Sequence, residues 1–103
     1  MTEVILEDVA EAEVIAAVEW YERQNEGVGI RLLDAINASL ASLPVRWPKL
    51  KLLRDYESLG VRYATVAKPW PYRLLVVAKD DTLHVFAVAH NSREPAYWKH
   101  RLR

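Results

Sequence analysis

The apolar and polar residues of this chain change rhythm along its length. Residues 2–6 (Thr-Glu-Val-Ile-Leu) are short and β-prone, and predict a strand. Asp8 lies three residues before Glu11, a capping-box-like spacing that predicts a helix start. Val14, Ala17, Val18 and Tyr21 then recur at helical spacing. Glu11, Glu13, Glu19, Glu22 and Arg23 fill much of the remaining surface. The polar stretch Gln24-Asn25-Glu26-Gly27 closes on glycine and predicts a stop. A second helix is expected from about Gly29 to Leu43, on the stripe Leu33, Ile36, Leu40 and Leu43 with Leu32 beside it. Pro44 is expected to end it, because proline cannot continue the hydrogen-bond ladder. The short connection makes the two helices an antiparallel hairpin.

Residues 44–60 lack a clear period and carry Pro44, Pro48, Arg46, Lys49, Lys51 and Arg54. Three strand signals follow: Val61–Val66, Tyr72–Lys79 and Leu83–His90. Leu74, Leu75, Val76 and Val77 are apolar on both faces, so the middle strand should be central and covered on both sides. Asp80-Asp81 predicts a tight turn. Pro95 is expected to open a last short helix carrying Tyr97, Trp98 and Lys99. The order β-α-α-β-β-β-α, with sequential strands on short turns, predicts one α+β domain over residues 1–103. It is an antiparallel meander packed against an N-terminal helical hairpin. One hairpin and one short helix leave little to cover the far face of such a sheet, so some apolar surface is expected to stay open.

Composition narrows the picture. A chain of 103 residues with 51% hydrophobic and 27% charged residues is an ordinary globular chain. The absence of cysteine excludes a disulfide scaffold and a thiolate metal site, and suits a reducing cytoplasm. No apolar run approaches the roughly 18 residues of a membrane span, and the N-terminus has no basic leader, so neither a membrane association nor a cleaved signal is expected. The net charge is zero but unevenly placed. Residues 1–43 hold nine acidic and two basic side chains, a net −7, and residues 44–103 hold twelve basic and five acidic ones, a net +7. Two faces with different partners are one consequence of such a split.

Familiar catalytic motifs are absent: no phosphate-binding glycine loop, no His-Glu-x-x-His, no nucleophile elbow. His84 and His90 share a strand face but lie about 20 Å apart along a strand, too far to hold one ion, and no metal or cofactor is expected. If Asp80-Asp81 is a two-residue loop, Val77 pairs with His84, Leu75 with Phe86, Arg73 with Val88 and Pro71 with His90. That register sets Arg73 and His90 on one face as diagonal neighbours. A permanent guanidinium beside an imidazole suits a phosphate, one gripping it and the other moving a proton. Arg62 on the preceding strand can join them. Against this, Arg73 can reach solvent from the strand end and His90 can bind a backbone carbonyl. Arg93, Tyr97, Trp98, Lys99, Arg101 and Arg103 form a basic, aromatic tail, a composition that stacks on bases and grips phosphates. Trp98, like Trp20-Tyr21 and Trp70-Pro71-Tyr72, reads better as a packing residue.

Four stretches together resemble the RelE/ParE toxins of type II toxin–antitoxin systems. They are Glu19-Trp20-Tyr21-Glu22 with Gly27-Val28-Gly29; Leu43-Pro44; Val61-Arg62 followed by Trp70-Pro71-Tyr72-Arg73; and Ala87-Val88-Ala89-His90 running into Arg93-Glu94-Pro95-Ala96-Tyr97-Trp98. The resemblance implies a small cytoplasmic toxin, linked to growth inhibition and plasmid stabilization. It implies neutralisation by a cognate antitoxin, in a heterotetramer or larger complex. It leaves two targets open, DNA gyrase for ParE-like members and ribosome-bound mRNA for the RelE-like endonucleases; a non-toxic binding module is a third reading. For a nuclease, the resemblance assigns Arg62, Arg73, His90 and Tyr97 as catalytic candidates, with Lys49, Lys51 and Arg93 binding. His90 followed by Arg-x-Pro-x-Tyr-Trp favours the ParE-like branch, as does Tyr97 embedded beside Trp98.

Overall fold

The computed structural model describes residues 2–102. β1 (Glu3–Leu6) leads into two long helices, α1 (Asp8–Gln24) and α2 (Val28–Arg46). β2 (Lys51–Leu52), β3 (Arg62–Thr65), β4 (Tyr72–Lys79) and β5 (Thr82–His90) follow, and the sheet order is β1-β5-β4-β3-β2. The expected meander is β3-β4-β5. β1 departs from the all-antiparallel expectation: it runs parallel to β5, from Glu3 opposite Thr82 to Leu6 opposite Val85. A parallel neighbour needs a long crossover, and the chain between β1 and the meander supplies one. β2 adds a two-residue antiparallel edge beside β3, within the segment whose pattern showed no period.

Helix ends differ from the sequence expectation in two places. Glu7 occupies the N-cap of α1, with no side-chain cap, so the capping box at Asp8 does not form. Asp8 and Glu11 instead sit in the first turn, where they favour the helix dipole. α2 continues through Pro44 to Arg46, and a 3-10 turn at Trp47–Lys49 extends it. Pro44 has no N–H to give the Leu40 carbonyl, and the burial of Leu43, with half-buried Trp47 packed against the same core, holds the last turn. By length and mean hydropathy the span Val28–Lys49 would suffice to cross a membrane. Here its buried residues Leu32, Ile36 and Leu43 join a core with Leu74, Val76 and Val85 of the sheet.

The hairpin joint explains one of the sequence motifs. Gly27 sits at φ +89°, a left-handed conformation that glycine adopts without strain. The Glu22 carboxylate accepts hydrogen bonds from the backbone N–H groups of Gly27 and Gly29, both at 2.8 Å. These bonds satisfy free donors at the start of α2 and hold the Glu22 carboxyl below its usual range. A side chain at Gly29 would collide with the Val18 carbonyl oxygen, so glycine there permits the close approach of the two helices.

Each face of the sheet has its own core. On one face Ala10, Val14, Leu32, Ile36 and Leu43 of the helices meet Ala64, Leu74, Val76, Val85 and Val88. On the other, Leu75, Phe86, Ala87 and Ala89 lie under Leu53, Val61 and Trp98. The central strand is thus covered on both sides, as its composition required, and the far face is not left open. Loops cover it, not helices. The last helix expected at Pro95 is instead a series of turns with Ala96 at φ +63°, then a 3-10 turn at Lys99–Arg101. A left-handed alanine breaks the helical path there. Most large apolar side chains that remain exposed lie on the helices and the edges, among them Ile5, Ile15, Trp20, Ile30 and Val45, with Leu59 on the loop between β2 and β3. Trp20 therefore corrects the expectation of a packing role, although its ring meets Tyr21 edge-on at 5.0 Å.

Candidate functional site

The hairpin β4–β5 sets the positions of the candidate residues. Asp80 and Asp81 both have positive φ, +51° and +62°, the geometry of a tight two-residue turn. Lys79 pairs with Thr82 and Val77 with His84, as the sequence predicts. Then the register slips. Val76 pairs with Val85 but Leu75 pairs with Ala87, leaving Phe86 as an extra residue in β5. Phe86 and Ala87 both point into the second core. A one-residue slip reverses the face of everything beyond it. Arg73 now pairs with Ala89, not Val88, and His90 pairs with Tyr72, not Pro71.

Arg73 and His90 consequently lie on opposite faces, and the predicted diagonal pair is not formed. His90 packs its ring edge-on against Tyr72 at 5.1 Å, and its Nδ1 accepts a hydrogen bond from the Ser92 N–H at 3.0 Å. Tyr72 is buried beside Tyr21, and burial followed by that neighbour pushes its phenol up to about 12. Arg62 pairs with Val76 and so faces the helices. Its guanidinium stacks over Trp47 at 4.8 Å and donates to the Trp47 carbonyl at 2.8 Å. Lys49 and Lys51 are exposed, on the 3-10 turn after α2 and on β2.

On the far face Arg73 stacks over Tyr63 at 5.1 Å, and Arg93 over Tyr97 at 4.0 Å. Arg73, Arg93 and Tyr97 line an open hollow of about 270 Å³ together with Arg54 and Tyr56, and His90 borders it at the strand end. So the structure gathers Arg73, Arg93, Tyr97 and the margin of His90, and separates Arg62 from them. Among the described residues no group of three His, Cys, Asp or Glu side chains is arranged to hold a metal.

Tyr97 is already engaged. Its hydroxyl donates to Glu13 Oε2 of α1 at 2.5 Å. Glu13 Oε1 also accepts the Val88 N–H at 3.0 Å and Arg101 Nη1 at 3.0 Å. The same Arg101 nitrogen donates to the Phe86 carbonyl at 3.1 Å. β1 accompanies β5 only as far as Val85, so Phe86 and Val88 lie on a strand edge without a neighbour. Glu13 and Arg101 supply the missing acceptor and donor. Burial first, then the bond to Glu13, pushes the Tyr97 phenol well above its usual range. Sequence reasoning passed over Glu13 as a surface acid. The signal was its position at i+3 from Ala10 and i−4 from Ala17, inside the buried stripe of α1.

Cleaving a phosphodiester needs a general base, a general acid and charge stabilisation at one phosphate. The hollow offers cations and aromatic rings, but its phenol is a committed, neutral donor, and Arg62 is on the other face. The hollow's guanidinium groups have the chemistry to pair with anions.

The family model described as ParE toxin of type II toxin-antitoxin system, parDE, matches residues 4–95. A solved structure described as a chromosomal ParDE TA system from P. aeruginosa superposes with a TM-score of 0.74. It is 18% identical, and the match covers 87% of this chain and 96% of that one, a likeness of fold. No curated protein matches the chain significantly.

Proposed function

The chain belongs to the ParE toxin family of type II toxin–antitoxin systems, and from that premise we propose that it acts by binding DNA gyrase and not by cleaving RNA. As the toxin of such a system it has an antitoxin partner. The observation that carries the binding-only reading is the Tyr97–Glu13 bond: the hydroxyl best placed to act as an acid or base already donates to a carboxylate of α1. Separation of Arg62 from Arg73 supports the same reading. An inhibitor that occludes a protein needs a surface, and the arginine-lined hollow is that surface.

The antitoxin has a separate place to dock. Among the described residues, the outer edge of β1 has no neighbouring strand. Beside it Val4, Leu6, Leu40, Ala41 and Pro44 form an apolar groove of about 290 Å³. A free edge next to such a groove suits an added strand or an amphipathic helix. The deciding experiment is induced expression with DNA supercoiling and translation followed in parallel. Loss of supercoiling with translation initially intact is the expected result. Early arrest of translation with cleaved mRNA would instead establish the nuclease reading. Co-expression with the adjacent reading frame should restore growth and co-purify its product.

A further inference from the structure

We propose that the hollow beside Arg73 is a carboxylate-binding site that takes an acidic segment of the toxin's protein target, with Arg54, Arg73 and Arg93 as its cations. The proposal rests on the binding-only reading above and names the chemistry that the surface recognises.

Three observations carry it. First, the three arginines line one hollow, and none of them forms an ion pair among the described residues. Asp55 and Glu94 border the same hollow without bridging to them. Guanidinium groups left unpaired around a concavity suit carboxylates, which each can grip with two parallel N–H bonds. Second, two of the forks are held in place before any ligand arrives. Arg73 is half-buried and stacked over Tyr63, and Arg93 is stacked over Tyr97, which Glu13 anchors in turn. A pre-ordered side chain loses less entropy on binding.

Third, the same geometry disfavours a nucleic acid. Single strands are held by bases stacking on free aromatic faces along a continuous basic track. Here Tyr63 and Tyr97 already carry guanidinium groups, Trp98 is buried, and Tyr56 packs edge-on against Trp98 at 4.9 Å. Arg62 lies across the sheet, and Asp55 and Glu94 interrupt the positive rim. An isolated Asp or Glu side chain needs neither a free ring nor an unbroken track.

The test uses the purified full chain, as wild type and as Arg54→Gln, Arg93→Gln, Arg73→Gln and Lys79→Gln. Lys79 is exposed at the far end of β4 and serves as the charge control. Two fluorescein-labelled probes are titrated by anisotropy, a short Glu-rich peptide and a single-stranded oligonucleotide of equal length, and each variant is assayed against gyrase supercoiling. The peptide should bind the wild type and Lys79→Gln alike, and each arginine variant about tenfold more weakly. Gyrase inhibition should fall in step. Arg54 and Arg93 are exposed, so their variants keep the fold, and a thermal midpoint checks Arg73→Gln. The proposal is overturned if the oligonucleotide binds more tightly than the peptide, if the wild type does not bind the peptide, or if the arginine variants match the wild type in both assays. Arginine-dependent peptide binding by a wild type that leaves gyrase active would sink the gyrase reading and keep the site. A wild type that inhibits gyrase, with equally inhibitory arginine variants, would do the reverse.

Discussion

The two faces of the sheet are closed by different physics. On one, α1 and α2 lay an aliphatic stripe on Leu74, Val76 and Val85. On the other, loops and the C-terminal turns hold Trp98 and Tyr97 over Phe86 and Ala87, tied by one carboxylate that binds a tyrosine, an arginine and a backbone amide. The first cover needs no particular atom pairing. The second depends on side chains 84 and 88 positions apart finding one another. The arginine-lined hollow lies on the second. Binding residues are commonly carried on loops over a rigid scaffold.

The largest expected break falls on the helical face. Ile36 is fully buried between α2 and the sheet. Ile36→Ala should cost about 2–5 kcal/mol in denaturant unfolding, and an unchanged midpoint would refute the packing. The next falls on the polar tie. Glu13→Ala leaves Arg101 unpaired and the Val88 amide without its acceptor, and should cost about 1.5–3 kcal/mol. Its signature is local: exchange at the Val88 amide should rise while amides of α2 stay protected. If both regions loosened together, the two covers would be one cooperative unit.

Tyr97→Phe sharpens the contrast between structure and chemistry. It removes one bond to Glu13 and should cost only about 0.5–1.5 kcal/mol, with growth inhibition retained. A folded but non-toxic Tyr97→Phe variant would return the phenol to a catalytic role. The smallest effects are the pH limbs. Glu22 has a depressed pKa in the folded state, so its contribution is present above the ordinary carboxylate range and is lost as pH falls below it. The acid limb of wild-type stability should flatten in Glu22→Gln. Tyr72 is raised to about 12, so its contribution is complete below about pH 10 and is lost as pH rises toward 12. Tyr72→Phe should remove part of that alkaline loss.

Much of the fold was legible because it is written in local periods. The stripe of Val14 and Val18, then Ile36 and Leu40, marks the two helices. The run Leu74–Val77 marks a strand covered on both sides, and Asp80-Asp81 marks its turn. Even the motif Glu22…Gly27-Val28-Gly29 could be located, although its purpose, a carboxylate capping the next helix, appears only in three dimensions.

The candidate site was less legible, and the reason is a single residue. A hairpin register counted outward from Asp80-Asp81 is right as far as Val76 and wrong beyond, because Phe86 is inserted as a bulge. No local signal distinguishes a strand that bulges at Phe86 from one that does not. The choice depends on whether Phe86 and Ala87 can both enter the core beneath Trp98, a contact with a residue from another part of the chain. The same holds for Glu13, whose partners come from β5 and the C-terminal turns. The sequence by itself determined the two long helices, β1, the three strands of the meander and which of their faces are apolar, since those follow from neighbours three, four or two positions apart; the segments after Pro44 and after Pro95, without such a period, it did not. Only the tertiary structure decided which side Arg73 and His90 face and what Tyr97 binds. Those outcomes turn on a one-residue register and on long-range pairings, and the free energies that select them arise only when the core closes.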